Sequence, residues 1–347
     1  MEDDRPAHPV ARLIAGRTAS GSRPGARTDE HRLALVIEGG GMRGAISGGM
    51  AMALEELGHR DAFDDVWGAS AGALNAAWFA GGATAAGLPA WTDPVLRTAT
   101  VRRRNLLRGR PLVDGRYLTE VVYERLTPMP FEAIVASPVR LHPVGTDAAT
   151  GEATDLAPFV RDRRTLKLAL RASTALPLLS GPPVALGGRR FFDAGLAAAV
   201  PFRLALQHGA THVLVLRSRR ADEQEIVDGS RSTAIAARYL RRHSAGVATA
   251  FVGRAERLLR DDAELAELER RDDARPAVLS VRPPAGTADI GRLERDHLRV
   301  LEGLEAGRAT VHALLGDRAD AQGRTGGTGE DAVHAHGGTG EGVAGSA

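Results

Sequence analysis

A serine between two glycines is the first feature of this chain that could perform chemistry. Ser70 lies in the pattern G-x-S-x-G, which runs from Gly68 to Gly72. Glycines at these positions let the backbone turn sharply from a strand into a helix, with the serine at the helix N-terminus. Unpaired N–H groups and the helix dipole favour negative charge there. The pattern therefore indicates a nucleophile, although five residues alone are a weak signal in a chain rich in Ala and Gly.

A glycine-rich loop precedes this serine and follows a short apolar run. The loop matches G-x-G-x-x-G, which binds dinucleotides when it connects a strand to a helix. That interpretation needs an acidic residue at the end of the next strand to hold a ribose, and this strand runs into Gly68 and Ser70 instead. Glu38, directly before the loop, would also place negative charge near a pyrophosphate. Dinucleotide binding is therefore the weaker alternative.

The stronger interpretation joins the loop and the serine in one site. Both follow adjacent strands of the expected sheet, and open parallel sheets place their sites at the carboxyl ends of strands. Backbone N–H groups of Gly40, Gly41 and Ala71 would then form an oxyanion hole beside Ser70. Arg43 could brace the loop or attract a phosphate. The predicted oxyanion-hole residues are Gly39, Gly40, Gly41, Arg43, Gly44 and Ala71.

A serine hydroxyl needs a base before it can act as a nucleophile. Histidine is the usual base, but no histidine lies in a recognisable catalytic motif. His208 and His212 flank the start of a predicted strand and are expected at the surface. Asp193 is better placed, because it follows an apolar pair and begins a tight turn at a strand end; a turn-forming role is the alternative. The histidines considered are His59, His142, His208, His212, His243 and His297.

The elements that must position these residues alternate along the chain. Short apolar runs at residues 33–37 and 62–67 predict buried strands, and residues 45–57 and 71–80 predict helices. This order predicts an α/β fold, a three-layer α/β/α sandwich with a mostly parallel central sheet. Further strands are expected at residues 139–146, 212–216 and 277–281, and further helices at residues 84–96, 115–126, 164–172, 235–268 and 292–315.

Composition limits the other classes of function. The chain has 347 residues, a net charge of +2 and no cysteine, which excludes disulfides, a cysteine nucleophile and thiolate metal sites. Because Lys167 is the sole lysine, the basic pI reflects arginine usage, and no nucleic-acid partner is expected. The arginine-rich residues 102–110 predict a solvated loop, with contact to anionic head groups as the alternative.

The ends of the chain differ in composition from its middle. We expect a disordered leader over residues 1–30, a catalytic domain over residues 31–316 and a disordered Gly-rich tail over residues 317–347. Within the domain, the motifs occupy residues 31–220 and a helical part occupies residues 230–316. No apolar h-region and no apolar run of membrane-spanning length is visible, so we expect a cytoplasmic protein whose membrane contact, if any, is peripheral.

Four blocks in order, residues 39–44, 68–72, 172–177 and 193–195, resemble those of patatin-like phospholipases. The resemblance implies a Ser-Asp dyad without a catalytic histidine, in which Ser70 is the nucleophile and Asp193 is the base. It also implies that the glycine loop is the oxyanion hole, that the substrate is a carboxylic ester in a lipid, and that neither metal nor cofactor is needed. An acyltransferase with the same acyl-serine, or a non-catalytic lipid-binding protein, remains the alternative.

The resemblance has two departures. Ala194 stands where the family most often has glycine, and an alanine would hinder a positive φ at that position. The arginine-rich region after about residue 230 matches only loosely, and the oligomeric state and the lipid head group are not predicted by any motif.

Overall fold

The computed structural model describes residues 8–94, 111–223, 231–271 and 275–316. An eight-stranded mixed sheet runs through these residues, in the order β5-β6-β3-β2-β1-β7-β8, with β4 paired to β3. The central strands β3, β2, β1, β7 and β8 are parallel, whereas β4 and β6 run antiparallel to β3. The strands are β1 (Leu33–Ile37), β2 (Asp65–Ala69), β3 (Arg140–Asp147), β4 (Ala153–Asp155), β5 (Val184–Leu186), β6 (Arg189–Phe192), β7 (His212–Leu216) and β8 (Ala277–Val281).

Helices cover both faces of this sheet. Two of them continue as π-helical segments, Leu118–Leu126 and His312–Gly316. The α-helices are α1 (Pro9–Ala19), α2 (Gly44–Glu56), α3 (Ala71–Ala80), α4 (Thr84–Gly87), α5 (Gly115–Tyr117), α6 (Phe131–Val135), α7 (Arg163–Ser173), α8 (Phe202–Gln207), α9 (Arg231–Arg241), α10 (Ala245–Val252), α11 (Arg254–Glu269) and α12 (His297–Val311).

The alternation of side chains in β1 explains why there are three layers. Leu33, Leu35 and Ile37 pack on one face of the sheet with α1, α2, α3 and α12. Ala34 and Val36 pack on the other face with α8 and α11. Because both faces of this strand are buried, all of its residues are apolar, as is usual for parallel strands between two helical layers. The predicted three-layer fold with a mostly parallel sheet is confirmed.

The prediction of a disordered leader over residues 1–30 is wrong for the described part of that segment. Helix α1 places Val10 and Ile14 in the core, where both are fully buried. Arg17 is also buried, and its guanidinium donates to Asp29 and Asp64. The sequence did not indicate this helix, because an arginine in an apolar pattern is expected at the surface. The carboxylates that allow Arg17 to be buried lie on loops outside the helix. Residues 1–7, the arginine-rich residues 102–110 and the predicted tail lie outside the described residues.

Several predicted boundaries also differ from the structure; the helix predicted over residues 292–315 begins at His297. The second strand begins at Asp65, since residues 60–62 form a 3₁₀ turn. In place of the helix predicted over residues 84–96, the structure has a short α-helix that ends at Gly87. A 3₁₀ segment with Pro89 in its first turn follows it. The predicted residues 95 and 96 lie outside the described part.

The last helix packs unusually close to α2. A Cβ at Gly49 would lie 1.9 Å from the carbonyl oxygen of Leu304, and one at Gly307 would lie 2.0 Å from that of Ile46. Neither position can carry a side chain without separating the two helices. The C-terminal helix is therefore built into the same layer as the helix that follows the glycine loop.

Candidate active site

Ser70 stands at the turn between β2 and α3. Its backbone has φ 53° and ψ −121°, a conformation that is rare for a residue with a side chain. A Cβ at Gly68 would lie 2.5 Å from the Cα of Ala73, and one at Gly72 would lie 2.3 Å from the carbonyl oxygen of Ile37. Glycine is therefore required on both sides of the serine. Backbone strain of this kind concentrates at functional sites.

The Ser70 hydroxyl donates a hydrogen bond to Asp193 Oδ2 at 2.7 Å. Both side chains are buried, and the other carboxylate oxygen, Oδ1, accepts the N–H of Gly195 at 2.8 Å. Burial raises the pKa of Asp193 to about 6, although the bonds from Ser70 and Gly195 and the positive charge of Arg292 act to lower it. A carboxylate with this pKa is ionised at neutral pH and still has appreciable affinity for a proton.

The backbone of Asp193 is fixed from two sides. Its N–H donates to the carbonyl of Ala175, and its own carbonyl accepts the hydroxyl of Thr146 at 2.8 Å. The next residue, Ala194, begins a short 3₁₀ helix. Of the described non-glycine residues only Ser70 and Leu178 have positive φ, so the expected conflict at Ala194 does not arise. Alanine fits here because the turn keeps this residue in a conformation open to any side chain.

Ser173, the last residue of α7, supports the turn at Ser70 and was not predicted as a site residue. Its buried hydroxyl accepts the backbone N–H of Ser70 at 3.0 Å. This bond satisfies an N–H group at the strained turn, where no regular partner is available. Its position inside the block of residues 172–177 was the signal that could have identified it.

The glycine loop lies against this turn, and its N–H groups divide into two sets. A Cβ at Gly39 would lie 2.6 Å from the carbonyl oxygen of Ala69, so loop and turn are in direct contact. The N–H of Gly39 donates to Ala199, and that of Gly44 donates to carbonyls within the loop. The N–H of Arg43 donates to Gly40 at 3.4 Å. These three residues cannot offer those N–H groups to a ligand in this conformation, which narrows the predicted oxyanion hole.

The remaining predicted donors are Gly40, Gly41 and Ala71. Within the described part of the chain, their N–H groups have no acceptor. Gly41 has φ +62°, and a Cβ there would lie 2.3 Å from the carbonyl oxygen of Arg292, so only glycine fits. That same carbonyl accepts the N–H of Met42 at 3.1 Å. The loop is thus held by the segment that precedes α12.

Charged side chains brace the loop from behind. Arg43 is buried and pairs with Glu223, which favours the bracing role over attraction of a phosphate. Glu38 is fully enclosed; burial acts to raise its pKa, but Arg217 and Arg219 outweigh this effect and lower it to about 2. Glu38 also accepts the N–H of Ser218, whose hydroxyl donates to the Gly39 carbonyl. Its charge is compensated inside the protein.

A cavity of about 150 Å³ opens beside the Ser70 hydroxyl. Most of its lining is apolar, and the polar exceptions include Ser70, Thr174 and Arg292. None of the lining residues within the described part of the chain is a histidine. The apolar wall comprises Met42, Leu74, Trp78, Trp91, Val113, Leu118, Val122, Leu176 and Leu293.

The histidines within the described residues lie outside this cavity. His208 is exposed, as expected, but His212 is buried because it is the first residue of β7 and its ring packs on His31. The expectation of a surface position for His212 is therefore wrong. His142 is buried on the helical face that contains α8, next to Trp67.

An α/β/α sandwich with a serine on a strained turn, a bonded aspartate and a neighbouring glycine loop defines a class of serine hydrolase-like proteins. Residues 35–206 match the model of the patatin-like phospholipase family. The chain belongs to the patatin-like phospholipase family. This membership supports lipid hydrolase activity in general terms.

Two individual proteins are similar to this chain. An uncharacterized protein of Escherichia coli strain K12, YjjU, is 30% identical over 198 residues. The match covers 54% of this chain and 52% of YjjU, so the chain spans about half the length of this curated relative. The crystal structure of VipD from Legionella pneumophila aligns over 83% of this chain and 67% of that chain, with 13% identity and a TM-score of 0.36, which is too low to support an inference.

Among the described residues, no helix combines the length and the apolar character needed to cross a bilayer.

Proposed function

We propose that this protein is a serine lipid acyl hydrolase that cleaves carboxylic esters through Ser70 and Asp193. The observation that carries the proposal is the 2.7 Å hydrogen bond from the serine hydroxyl to the buried carboxylate. A nucleophile and a base within hydrogen-bond reach are the minimum arrangement for acyl transfer to serine. Family membership supports the substrate class but does not identify the ester.

In the first step, Ser70 Oγ attacks the acyl carbonyl while Asp193 Oδ2 accepts its proton. A carboxylate with its pKa raised to about 6 is a stronger base than a solvated one, yet it remains ionised at neutral pH. Asp193 needs no histidine between itself and the hydroxyl, because the two groups are already in contact.

The negative charge on the tetrahedral oxygen would be held by backbone N–H groups of Gly40, Gly41 and Ala71. Gly41 and Ala71 both line the cavity next to Ser70, which supports this assignment. Each such donor is typically worth about 10²–10³ in rate. Gly39, Arg43 and Gly44 act by holding the loop rather than by donating to the oxyanion.

The tetrahedral intermediate collapses when the alcohol leaves and takes the proton from Asp193. The product is an acyl-serine. Water then attacks this ester, again losing a proton to Asp193, and the fatty acid is released as Ser70 recovers its proton. The apolar cavity would hold the acyl chain during both steps.

Contact with a lipid surface would be made at the mouth of this cavity. Leu293 lines the cavity and is 46% exposed, and Leu298 and Leu301 are exposed on the adjoining helix α12. Exposed leucines flanked by arginines suit a peripheral contact with anionic lipid. Flotation of the protein with anionic vesicles, compared between the wild type and Leu293→Asp, tests this site; equal flotation would place the contact elsewhere.

The test of the activity is an assay of purified Ser70→Ala and Asp193→Asn on a short-chain p-nitrophenyl ester and on a phospholipid. We expect both variants to lose at least about 10³-fold in kcat/KM. Ser20→Ala and Asp296→Asn, which change the same residue types at exposed positions, serve as matched controls. Full activity in either site variant would reject the dyad, and product analysis with added alcohol separates hydrolysis from acyl transfer.

A further inference from the structure

Three potential metal ligands converge at the amino end of β2, on the sheet face that packs against α8. They are a carboxylate oxygen of Asp65 and ring nitrogens of His142 and His208, and all three atoms lie within 4.8 Å of one another. Asp65 begins β2, His142 lies in the neighbouring strand β3, and His208 directly follows α8. Asp65 and His142 are buried, whereas His208 is exposed.

The ring of His142 is held in one orientation. Its Nδ1 lies 2.9 Å from Asp155 Oδ2, and its Nε2 lies 3.2 Å from Asp65 Oδ1. The ring also stacks on Trp67, with 4.0 Å between centroids and 11° between planes. When Nδ1 donates its proton to Asp155, Nε2 presents its lone pair toward Asp65. A carboxylate behind a histidine in this way is the usual outer partner of a metal-bound imidazole.

We propose that Asp65, His142 and His208 form a binding site for one divalent transition-metal ion of the Zn²⁺ type. Two imidazole nitrogens and one carboxylate oxygen suit zinc and its neighbours, whereas Mg²⁺ and Ca²⁺ require oxygen ligands. Arg32 holds both oxygens of Asp65, because its Nε donates to Oδ2 at 2.6 Å and its Nη2 donates to Oδ1 at 3.0 Å. Oδ1 would therefore bind the ion through its remaining lone pair.

A route from solvent reaches this cluster. A cavity of about 290 Å³ is lined by His142, Asp155 and His208. Water in this cavity would supply the fourth ligand of a tetrahedral ion. His208 lies at its rim, so the ion can enter without unfolding the sheet.

The competing interpretation is an ion-pair network without metal. In that network a protonated His142 would join Asp65 and Asp155, and Arg32 would neutralise the remaining charge. The ion pairs of this network do not involve His208, which donates to neither carboxylate in the described structure. The ring of His208 packs edge-on against Trp67 and His142. What favours a metal is that this packing brings a third ligand atom to the other two.

The ion would have no part in ester cleavage. Ser70 follows the last residue of β2, roughly 16 Å along the strand from Asp65 at the usual rise per residue. Instead, the metal would connect β2, β3 and the end of α8. Because an ion that binds only the folded state stabilises it, the expected consequence is a zinc-dependent increase in Tm.

The test uses the full chain without an affinity tag. His334 and His336, two further histidines outside the described residues, are replaced by alanine in every protein measured. Zn²⁺ is titrated by calorimetry, and Co²⁺ is titrated by its visible absorption, which reports tetrahedral coordination. We expect one ion per chain, a higher Tm with zinc, and no binding of Mg²⁺.

His208→Ala is the decisive variant, because this exposed side chain can be removed without opening the core. It should weaken zinc binding at least about tenfold and abolish the increase in Tm, and Asp155→Ala should weaken binding by roughly 10- to 100-fold. His297→Ala, which removes an exposed histidine at the start of α12, should change neither. Absence of saturable binding in the parent, or equal affinity in His208→Ala and the parent, would reject the site and leave the ion-pair network.

Discussion

The two ends of β2 carry two buried aspartate sites with opposite electrostatics. At the carboxyl end, Asp193 accepts hydrogen bonds from two neutral groups, the Ser70 hydroxyl and the Gly195 N–H, and burial raises its pKa to about 6. At the amino end, burial acts in the same direction on Asp65, but bonds from His142 and Arg32 outweigh it and lower its pKa to about 2.

Burial alone therefore does not determine what a carboxylate can do. Asp65 has a cation in contact, and its proton affinity is too low for a general base at neutral pH. The groups that contact the carboxylate of Asp193 are neutral, so its pKa stays near the pH at which an enzyme works. The difference between the two ends lies in the charge of the hydrogen-bond donor.

The largest expected effect is on the pH dependence of the reaction. Because the base must be ionised, kcat/KM should fall tenfold per pH unit below about 6, which amounts to about 100-fold at pH 4. The measurement is a pH profile of kcat/KM on a neutral ester, over the range where circular dichroism shows the protein folded. A kcat/KM that stays constant from pH 7 to pH 4 would contradict this contrast, because the pKa of Asp193 would then be as low as that of Asp65.

The second effect is on stability, with opposite signs at the two ends. The raised pKa of Asp193 means that the folded state binds more protons than the unfolded chain between about pH 4 and 6, so the free energy of unfolding decreases as pH rises through this window. Asp193→Asn removes the free-energy cost of burying an ionised carboxylate. The variant should therefore be more stable than the wild type at pH 7 by on the order of 2 kcal/mol.

Asp65→Asn should do the reverse. The lowered pKa of Asp65 contributes stability above pH 4 that is lost as pH falls toward 2, and its removal leaves Arg32 without its buried partner. We expect a loss of about 3 kcal/mol at pH 7. Urea unfolding of both variants and of the wild type at pH 7 checks the two signs, and changes of the same sign would contradict the comparison.

The smallest effect concerns Arg292, whose positive charge lowers the pKa of Asp193. Its side chain is exposed, so solvent weakens the interaction. Arg292→Gln should move the acidic limb of the pH profile upward by about 0.3 units or less, with kcat at pH 8 little changed. Arg295→Gln, an exposed arginine that does not line the cavity, is the matched control and should leave the limb in place.

Local sterics explain what could be predicted from the sequence. The G-x-S-x-G spacing is visible because Gly68 meets the backbone of Ala73 within the same turn and Gly72 meets that of Ile37 in the neighbouring strand. In the loop, by contrast, Gly41 meets the backbone of Arg292, which is far along the chain. The fold class followed from apolar runs that alternate with helical patterns. Ser70 and Asp193 were therefore found together, although their direct contact required the structure.

The parts that escaped prediction depend on register and on buried charge. Trp67 pairs with His142 across β2 and β3, and only this register brings His142 to Asp65. Helix α1 was missed because its polar residue Arg17 is buried by partners on distant loops. Neither relation has a signature in a short window of sequence, since both depend on residues that are far apart in the chain.

The close glycine contact between α2 and α12 has a practical consequence for how this protein is divided. The match to the family ends at residue 206, whereas strand β8 and helix α12 lie beyond that point and belong to the same folded unit. The carbonyl of Arg292, just before α12, also holds Met42 in the glycine loop. A gene fragment that ended at residue 206 would keep Ser70 and Asp193 but lose β7, β8 and α12. We therefore expect that fragment not to fold, and a clone for expression should include α12.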